Sequence, residues 1–193
     1  MLYSDVMTTS KNYSHNHYVP EWYQKRIMHP GQGKYWYLDL HPEVCESNGH
    51  HYTRRDLLHW GPRSCFAERD IYTVKWGAYE NVDIERFFFG QIDSDGEYGV
   101  EYFTDYNFEK SNPNRAFESL LRYMSVQKLR TPKGLGLLTE QIRSRDKFIP
   151  LELLQRLQEI YCAIWTECVW QIADATQSET KFIISDHPVT VYN

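Results

Sequence analysis

The chain has 193 residues, a formal net charge of −5 and a sequence pI of about 5.9. Aromatic residues make up 16% of it, which argues against intrinsic disorder because disordered chains are poor in aromatic side chains. The acidic balance excludes a global positive field, so binding of nucleic acid would require a local basic patch.

Cysteine usage and hydropathy narrow the protein class further. The 4 cysteines are too few for the disulfide framework of a small secreted protein, and we expect reduced thiols. No apolar run reaches the roughly 18 residues of a membrane-spanning helix, and Met1–Asn16 lacks the apolar core of a signal peptide. We therefore predict a cytoplasmic protein with no membrane partner.

The length favours one domain with a sizeable core. We predict a flexible leader at residues 1–14 and a single domain at residues 15–193.

The N-terminal half of the chain predicts short elements separated by polar turns. The helices follow proline or loop signals, and the strands are rich in aromatic and β-branched residues. In chain order we predict a helix at Trp22–Met28, a strand at Tyr35–Leu40, a helix at Arg54–Trp60, a strand at Ile71–Trp76 and a helix at Val82–Ile92 that ends at Asp93–Gly96.

The C-terminal half predicts longer helices. Asn112-Pro113 is a favourable helix start, and Thr131-Pro132 ends that helix before a flexible joint at Gly134 and Gly136. We then predict a short helix at Leu138–Arg145, a long amphipathic helix at Leu151–Ala175, and strands at Lys181–Ile184 and Val189–Tyr192. The fold class is therefore α+β, a helix-rich single domain with a small, mostly antiparallel sheet.

Four short motifs punctuate the chain, at His17–Tyr23 (HYVPEWY), Cys65–Tyr72 (CFAERDIY), Arg130–Pro132 and Phe182–Val189. In this order they resemble landmarks of the bacterial domain of unknown function 4238 family. His187 stands where that family usually has asparagine, and the chain is C-terminally shorter than typical members. The family has no established activity, so the resemblance marks candidate residues and implies no function.

The first and last motifs each contain a candidate for catalysis. His17 carries an imidazole, which near neutral pH is a general base or a metal ligand; alternatively it locks the following Tyr18–Pro20 against the core by a hydrogen bond. Asp186 lies at a predicted strand end, where a rigid element would hold a functional carboxylate; alternatively it forms an Asx-turn. In an extended chain the side chain of His187 would point to the face opposite that of Asp186.

Other acidic residues suggest a metal site. Glu68 and Asp70 are two residues apart and would share one face of a strand. With His17 and Asp186 they would form an oxygen-rich site for Mg²⁺ or Mn²⁺. Glu85 is a further acidic candidate.

Arg69, Arg130 or Lys181 would bind a phosphate, an arginine through its guanidinium fork. For Arg130 the structural alternative is a cation that satisfies the last carbonyls of the preceding helix.

Two functions follow as hypotheses. The first is a metal-dependent phosphodiester hydrolase, nuclease-like, with His17, Asp186 and Arg130 as catalytic residues. The second is a non-catalytic module that binds protein or nucleic acid and uses the two terminal motifs as structural pins. Convergence of His17 and Asp186 would favour the enzyme, whereas a hydrogen bond from His17 to backbone would favour the module.

Overall fold

The computed structural model describes residues 15–76, 79–104, 113–143 and 146–190. Within these ranges the helices are α1 (Glu21–Arg26), α2 (Gly90–Thr104), α3 (Pro113–Leu129), α4 (Pro132–Ile142) and α5 (Phe148–Thr166). A π-helical segment, Ile84–Phe89, leads directly into α2. No helix in the described ranges is long and apolar enough to cross a membrane.

The strands form small antiparallel pairs. They are β1 (His15–His17), β2 (Tyr35–Leu38), β3 (Val44–Ser47), β4 (His50–Thr53), β5 (Leu57–Trp60), β6 (Ala67–Arg69), β7 (Val74–Trp76) and β8 (Tyr79–Asn81). The described pairs are β1 with β6, β2 with β5, β3 with β4, and β7 with β8. The α+β prediction, with helices dominating small antiparallel sheets, is confirmed.

Pairing with a distant strand overrides one local prediction. The segment Leu57–Trp60, predicted as part of a helix at Arg54–Trp60, is a strand whose register joins Trp60 to Tyr35 and Leu57 to Leu38. Its side chains alternate between exposed and partly buried, which is the period of a strand with one covered face. The helix prediction was wrong because tertiary pairing outweighs weak local propensity.

A turn between β6 and β7 shortens another predicted strand. Of the predicted Ile71–Trp76, only Val74–Trp76 is a strand. Asp70 adopts a φ of 55°, a left-handed conformation that interrupts an extended chain. Tyr72 follows this turn and is fully buried in the core.

Helix α2 continues through the glycine-containing segment that we predicted would end it. The helix runs to Thr104, and Gly96 and Gly99 are buried within it. A Cβ at Gly99 would lie 2.8 Å from the Leu120 backbone nitrogen of α3. The glycines therefore permit close helix packing rather than a stop, which local propensity does not reveal.

The boundaries of α3 and α4 agree with the prediction only in part. Helix α3 begins at Pro113, as predicted, while Asn112 lies outside the described residues. Helix α4 begins at Pro132 and includes both glycines of the predicted joint, because Thr131 caps it by accepting a hydrogen bond from the Gly134 backbone N–H at 3.1 Å. It ends at Ile142; Arg145 lies outside the described residues.

Helix α5 is shorter than the predicted Leu151–Ala175, since it ends at Thr166. Leu154 and Trp165 are buried, but Ile164 is 46% exposed and Ile172, beyond the helix, is 52% exposed. The predicted strand at Lys181–Ile184 is irregular, and so is the described part of Val189–Tyr192. Residues 191 and 192 of that segment lie outside the described ranges. The 4 cysteines are free thiols.

Candidate active site around Arg130

Three separate stretches of the chain contribute polar side chains to one buried cluster. Strand β1 carries Asn16 and His17, the π-helical segment carries Glu85, α2 carries Asp93, and Arg130 directly follows α3. The Arg130 backbone N–H donates to the Val126 carbonyl at 2.9 Å and continues the helical pattern by one residue. Sequence-distant groups therefore meet at the C-terminal end of α3.

Arg130 is the centre of this cluster. Its side chain is 1% exposed, and Nη2 lies 2.8 Å from Asp93 Oδ1. Nε donates a hydrogen bond to Gln127 Oε1 at 3.0 Å. The guanidinium carbon lies 5.6 Å from the ring centre of Phe89 and 6.0 Å from that of Tyr123, so cation–π attraction adds to the ion pair.

The Arg130 side chain does not serve the C-terminal carbonyls of α3, which was its predicted structural alternative. The guanidinium points to Asp93, while the Arg130 carbonyl accepts a hydrogen bond from the Tyr72 hydroxyl at 2.9 Å. The side chain is therefore available to the cluster rather than used on the helix end.

The ion pair leaves hydrogen-bonding capacity unused. Nη2 is paired with Asp93 Oδ1 at 2.8 Å. Among the described residues, Arg130 Nη1 has no hydrogen-bond partner. Buried charged donors without hydrogen bonds cost several kcal/mol, and they are the groups that an oxyanion would satisfy.

Both carboxyl groups of the cluster favour the protonated form more than an ordinary carboxyl does. Burial raises the pKa of Glu85 to about 7, with the positive charge of Arg130 opposing the rise. Burial also raises the pKa of Asp93, again against Arg130. Within the described ranges Glu85 Oε2 lacks a hydrogen-bond partner. Glu85 is thus a carboxyl group that can exchange a proton near neutral pH.

Two side chains at the edge of the cluster are partly exposed. The Asp93 side chain keeps 25% of its surface exposed, whereas that of Arg130 keeps 1%. His17 is also partly exposed, at 18% of its side chain. The buried guanidinium therefore lies behind two partly exposed side chains.

His17 is held in one tautomer by backbone. Its Nε2 lies 3.1 Å from the Pro62 carbonyl oxygen, and because a carbonyl only accepts, Nε2 carries the hydrogen and Nδ1 keeps a lone pair. Burial lowers the pKa of His17, although Glu21, 3.9 Å from Nε2, opposes this. His17 also acts electrostatically on Asp93, so its imidazole belongs to the surroundings of the cluster.

The residues after His17 are structural. The Tyr18 carbonyl accepts a hydrogen bond from Gln127 Nε2 at 2.6 Å, and Val19 is 0% exposed. Gln24 Nε2 donates to the Val19 carbonyl at 2.7 Å. This part of the motif therefore fixes β1 against α3 and keeps His17 near the cluster.

Asp186 does not lie at the end of a strand, as predicted, but in a bend of an irregular segment. It is exposed, and it acts on the phenols of Tyr18 and Tyr37, whose pKa values are raised mainly by burial. The turn bond is made by Ser185, whose Oγ accepts from the His187 backbone N–H at 3.2 Å. The Asx-turn interpretation was wrong because the residue two positions after Asp186 is Pro188, which has no N–H.

The predicted metal ligands Glu68 and Asp70 do not share a strand face. Glu68 is exposed on β6 opposite Asn16, while Asp70 lies in the left-handed turn, 3.5 Å from Lys75 Nζ. Within the described ranges, no 3 side chains among His, Cys, Asp and Glu are grouped to hold a metal ion. The predicted set His17, Glu68, Asp70 and Asp186 is therefore not assembled there.

Sequence reasoning placed Arg130 and His17 among the site residues and named Glu85 only as a spare acidic group. It missed Asp93, which we assigned to a helix-ending turn. Glu85, Phe89 and Asp93 are spaced four residues apart, a spacing that places them on one helical face. The sequence prediction missed this face because it ended the helix at Ile92, one residue before Asp93.

No family model, curated protein or solved structure matches this chain. The likeness of its four motifs to the bacterial family stays a prediction, and the function is argued from the site.

Proposed function

We propose that this chain hydrolyses a phosphodiester bond at the cluster of Arg130, Asp93, Glu85 and His17. The observation that carries the proposal is the buried guanidinium, whose Nη1 has no hydrogen-bond partner among the described residues, beside a carboxyl of pKa about 7. Guanidinium N–H groups are favourable donors to the oxygens of a phosphate. Perturbed titratable groups around such a donor are typical of catalytic sites.

Each residue has a separate role. Arg130 binds the non-bridging oxygens and stabilises the charge that develops on them, and Asp93 holds the guanidinium in place. His17 Nδ1 accepts a proton from the water whose oxygen attacks phosphorus. Glu85, when protonated, donates its proton to the leaving oxygen as the phosphorus–oxygen bond breaks.

The charge balance predicts the pH range of activity. Arg130 and Asp93 neutralise each other, so an anionic substrate is tolerated when Glu85 is protonated. Since the pKa of Glu85 is about 7, activity falls as pH rises above that value. It also falls at low pH, where His17 becomes protonated, below the ordinary histidine value because burial lowers its pKa.

Assistance by Mg²⁺ or Mn²⁺ remains a prediction, and the proposed roles of the four residues do not depend on it. Nucleic acid is a substrate that presents the required phosphodiester, and we propose it as the partner. Assays with EDTA and with Mn²⁺ distinguish metal-assisted hydrolysis from metal-independent hydrolysis.

Hydrolysis of bis(4-nitrophenyl) phosphate and of short single-stranded DNA and RNA tests the proposal. Glu85→Gln keeps the size of the side chain and removes the proton donor, so kcat falls by about 10²–10⁴-fold. Glu97→Gln, an exposed position of α2, is the matched control and keeps wild-type kcat. Equal turnover in Glu85→Gln and the control, or a pH profile that does not change, would overturn the proposed role.

One observation favours the alternative of a non-catalytic binding module. His17 is bonded to backbone, and the residues after it fasten β1 to α3. In that case wild type binds oligonucleotides or protein partners without turnover, and His17→Ala lowers the melting temperature. Absence of hydrolysis with all substrates in both metal conditions, together with saturable binding, would support the module.

A further inference from the structure

A group of basic side chains lies at the corner between α3 and α4. Lys128 is on the last turn of α3, Lys133 is on the first turn of α4, and His187 reaches the corner from the C-terminal segment. Lys128 Nζ lies 3.4 Å from His187 Nε2, and His187 Nδ1 lies 2.8 Å from Thr131 Oγ1. We call Lys128, Lys133 and His187 the basic corner.

The basic corner is separate from the Arg130 cluster. Lys128 and Arg130 are two residues apart in helical geometry, about 200° around the axis, so their side chains leave on opposite sides. Arg130 points to Asp93 of α2, whereas Lys128 points to His187. The inference therefore does not rest on the proposed hydrolase.

The hydrogen bonds fix the proton position on His187. Lys128 is a donor only, so His187 Nε2 accepts from it and Nδ1 carries the hydrogen that is donated to Thr131 Oγ1. Thr131 Oγ1 also accepts from the Gly134 backbone N–H. A neutral His187 thus bridges the Lys128 ammonium and Thr131, the N-cap residue of α4.

Negative charge is scarce at this corner. Among the described ion pairs neither Lys128 nor Lys133 has a carboxylate partner within 4.0 Å. Burial and then Lys133 lower the pKa of Lys128, and burial followed by both lysines lowers the pKa of His187. The acidic group that opposes these cations at His187 is Asp186 of the same segment.

The two lysines repel each other, and an anion bound between them releases that electrostatic free energy. Lys128 and His187 meet beside Thr131, and Lys133 acts electrostatically on both, so the ligand must carry its charge compactly. A phosphate group meets this requirement, and the start of α4, an 11-residue helix, contributes partial positive charge.

We propose that Lys128, Lys133 and His187 bind a phosphate group, either inorganic phosphate or the terminal phosphate of a mononucleotide. Binding draws Lys128 from His187 to the phosphate, and His187 takes up a proton at Nε2 to donate a second hydrogen bond. The bound anion therefore raises the affinity of His187 for its proton.

The test follows the His187 ring resonances by NMR during pH titrations with and without millimolar inorganic phosphate. Phosphate raises the titration midpoint of His187 and saturates. Lys133→Ala, an exposed substitution, weakens phosphate binding about tenfold by removing one charge, and Lys128→Ala does so as well. Lys34→Ala, an exposed lysine in an irregular segment, is the matched control and binds as wild type does.

Adenosine monophosphate distinguishes the two sources of the phosphate. Tighter binding of the mononucleotide than of inorganic phosphate identifies a nucleotide site, and equal binding identifies a free phosphate site. A His187 midpoint that phosphate does not change, or equal loss of binding in Lys34→Ala, overturns the proposal. Glu85→Gln retains phosphate binding at this corner, which separates the result from that for hydrolysis.

Discussion

Glu85→Gln should alter the pH dependence of stability in a way that no exposed glutamate does. In the folded protein burial raises the pKa of Glu85 from 4.5 to about 7. The folded state therefore holds a proton that the unfolded state has already lost between these two pH values. The free energy of unfolding contains a Glu85 contribution that is complete below pH 4.5 and decreases as pH rises to about 7.

The magnitude follows from the interval between the two values. Each pH unit changes the contribution by 1.36 kcal/mol while only the folded state is protonated, so the loss is about 3 kcal/mol by pH 8. Glutamine keeps the shape of the protonated carboxyl and cannot ionise. We therefore expect Glu85→Gln to be more stable than wild type at pH 8 by up to about 3 kcal/mol, and close to wild type at pH 4.5.

Urea denaturation at a series of pH values measures this difference. Other groups titrate in the same range, among them His17 and His187, whose lowered pKa values make stability decrease as pH falls. Subtracting wild type from the variant at each pH removes these shared contributions. Glu97→Gln is the control. A stability difference that stays constant from pH 4.5 to pH 8 would refute the reasoning that Glu85 holds its proton in the folded state.

Four further substitutions test the packing. Arg130→Met removes a buried ion-pair partner from Asp93 and should cost about 3–5 kcal/mol in urea denaturation; a loss under about 1 kcal/mol contradicts the buried pair. Gly99→Ala places a Cβ 2.8 Å from α3 backbone and should cost about 1–3 kcal/mol. Gly136→Ala, in open space on α4, should stabilise by about 0.5–1 kcal/mol. Leu154→Ala, at a 0% exposed position, should lower stability by about 2–5 kcal/mol. A neutral Gly99 or Leu154 variant in thermal melting argues against these contacts.

The sequence was sufficient for features that depend on local chemistry. Pro113 at a helix start, the end of that helix before Thr131 and the α+β class all follow from residue types and short-range periodicity. The same reasoning identified His17 and Arg130 as candidate residues, since each stands in a short motif with a reactive side chain. The structure places both near one cluster.

Local sequence patterns do not predict features that depend on residues far away in the chain. Leu57–Trp60 is a strand because β2 pairs with it, and α2 continues through Gly96 because α3 packs against that glycine. Asp93 was therefore assigned to a turn and its contact with Arg130 was missed. The prediction for His187 was also incomplete, since its Nδ1 finds Thr131 from 56 residues away in the chain.

NMR titration of the Glu85 carboxyl carbon, with and without dimethyl phosphate, is the strongest test of the proposed phosphodiester site, because this diester mimics the proposed substrate. We expect a midpoint near pH 7 that moves upward when the anionic diester occupies the Arg130 donors, because a nearby negative charge favours the protonated carboxyl. A midpoint near 4.5, or a midpoint near 7 that the diester leaves unchanged, would contradict a phosphodiester site at this cluster.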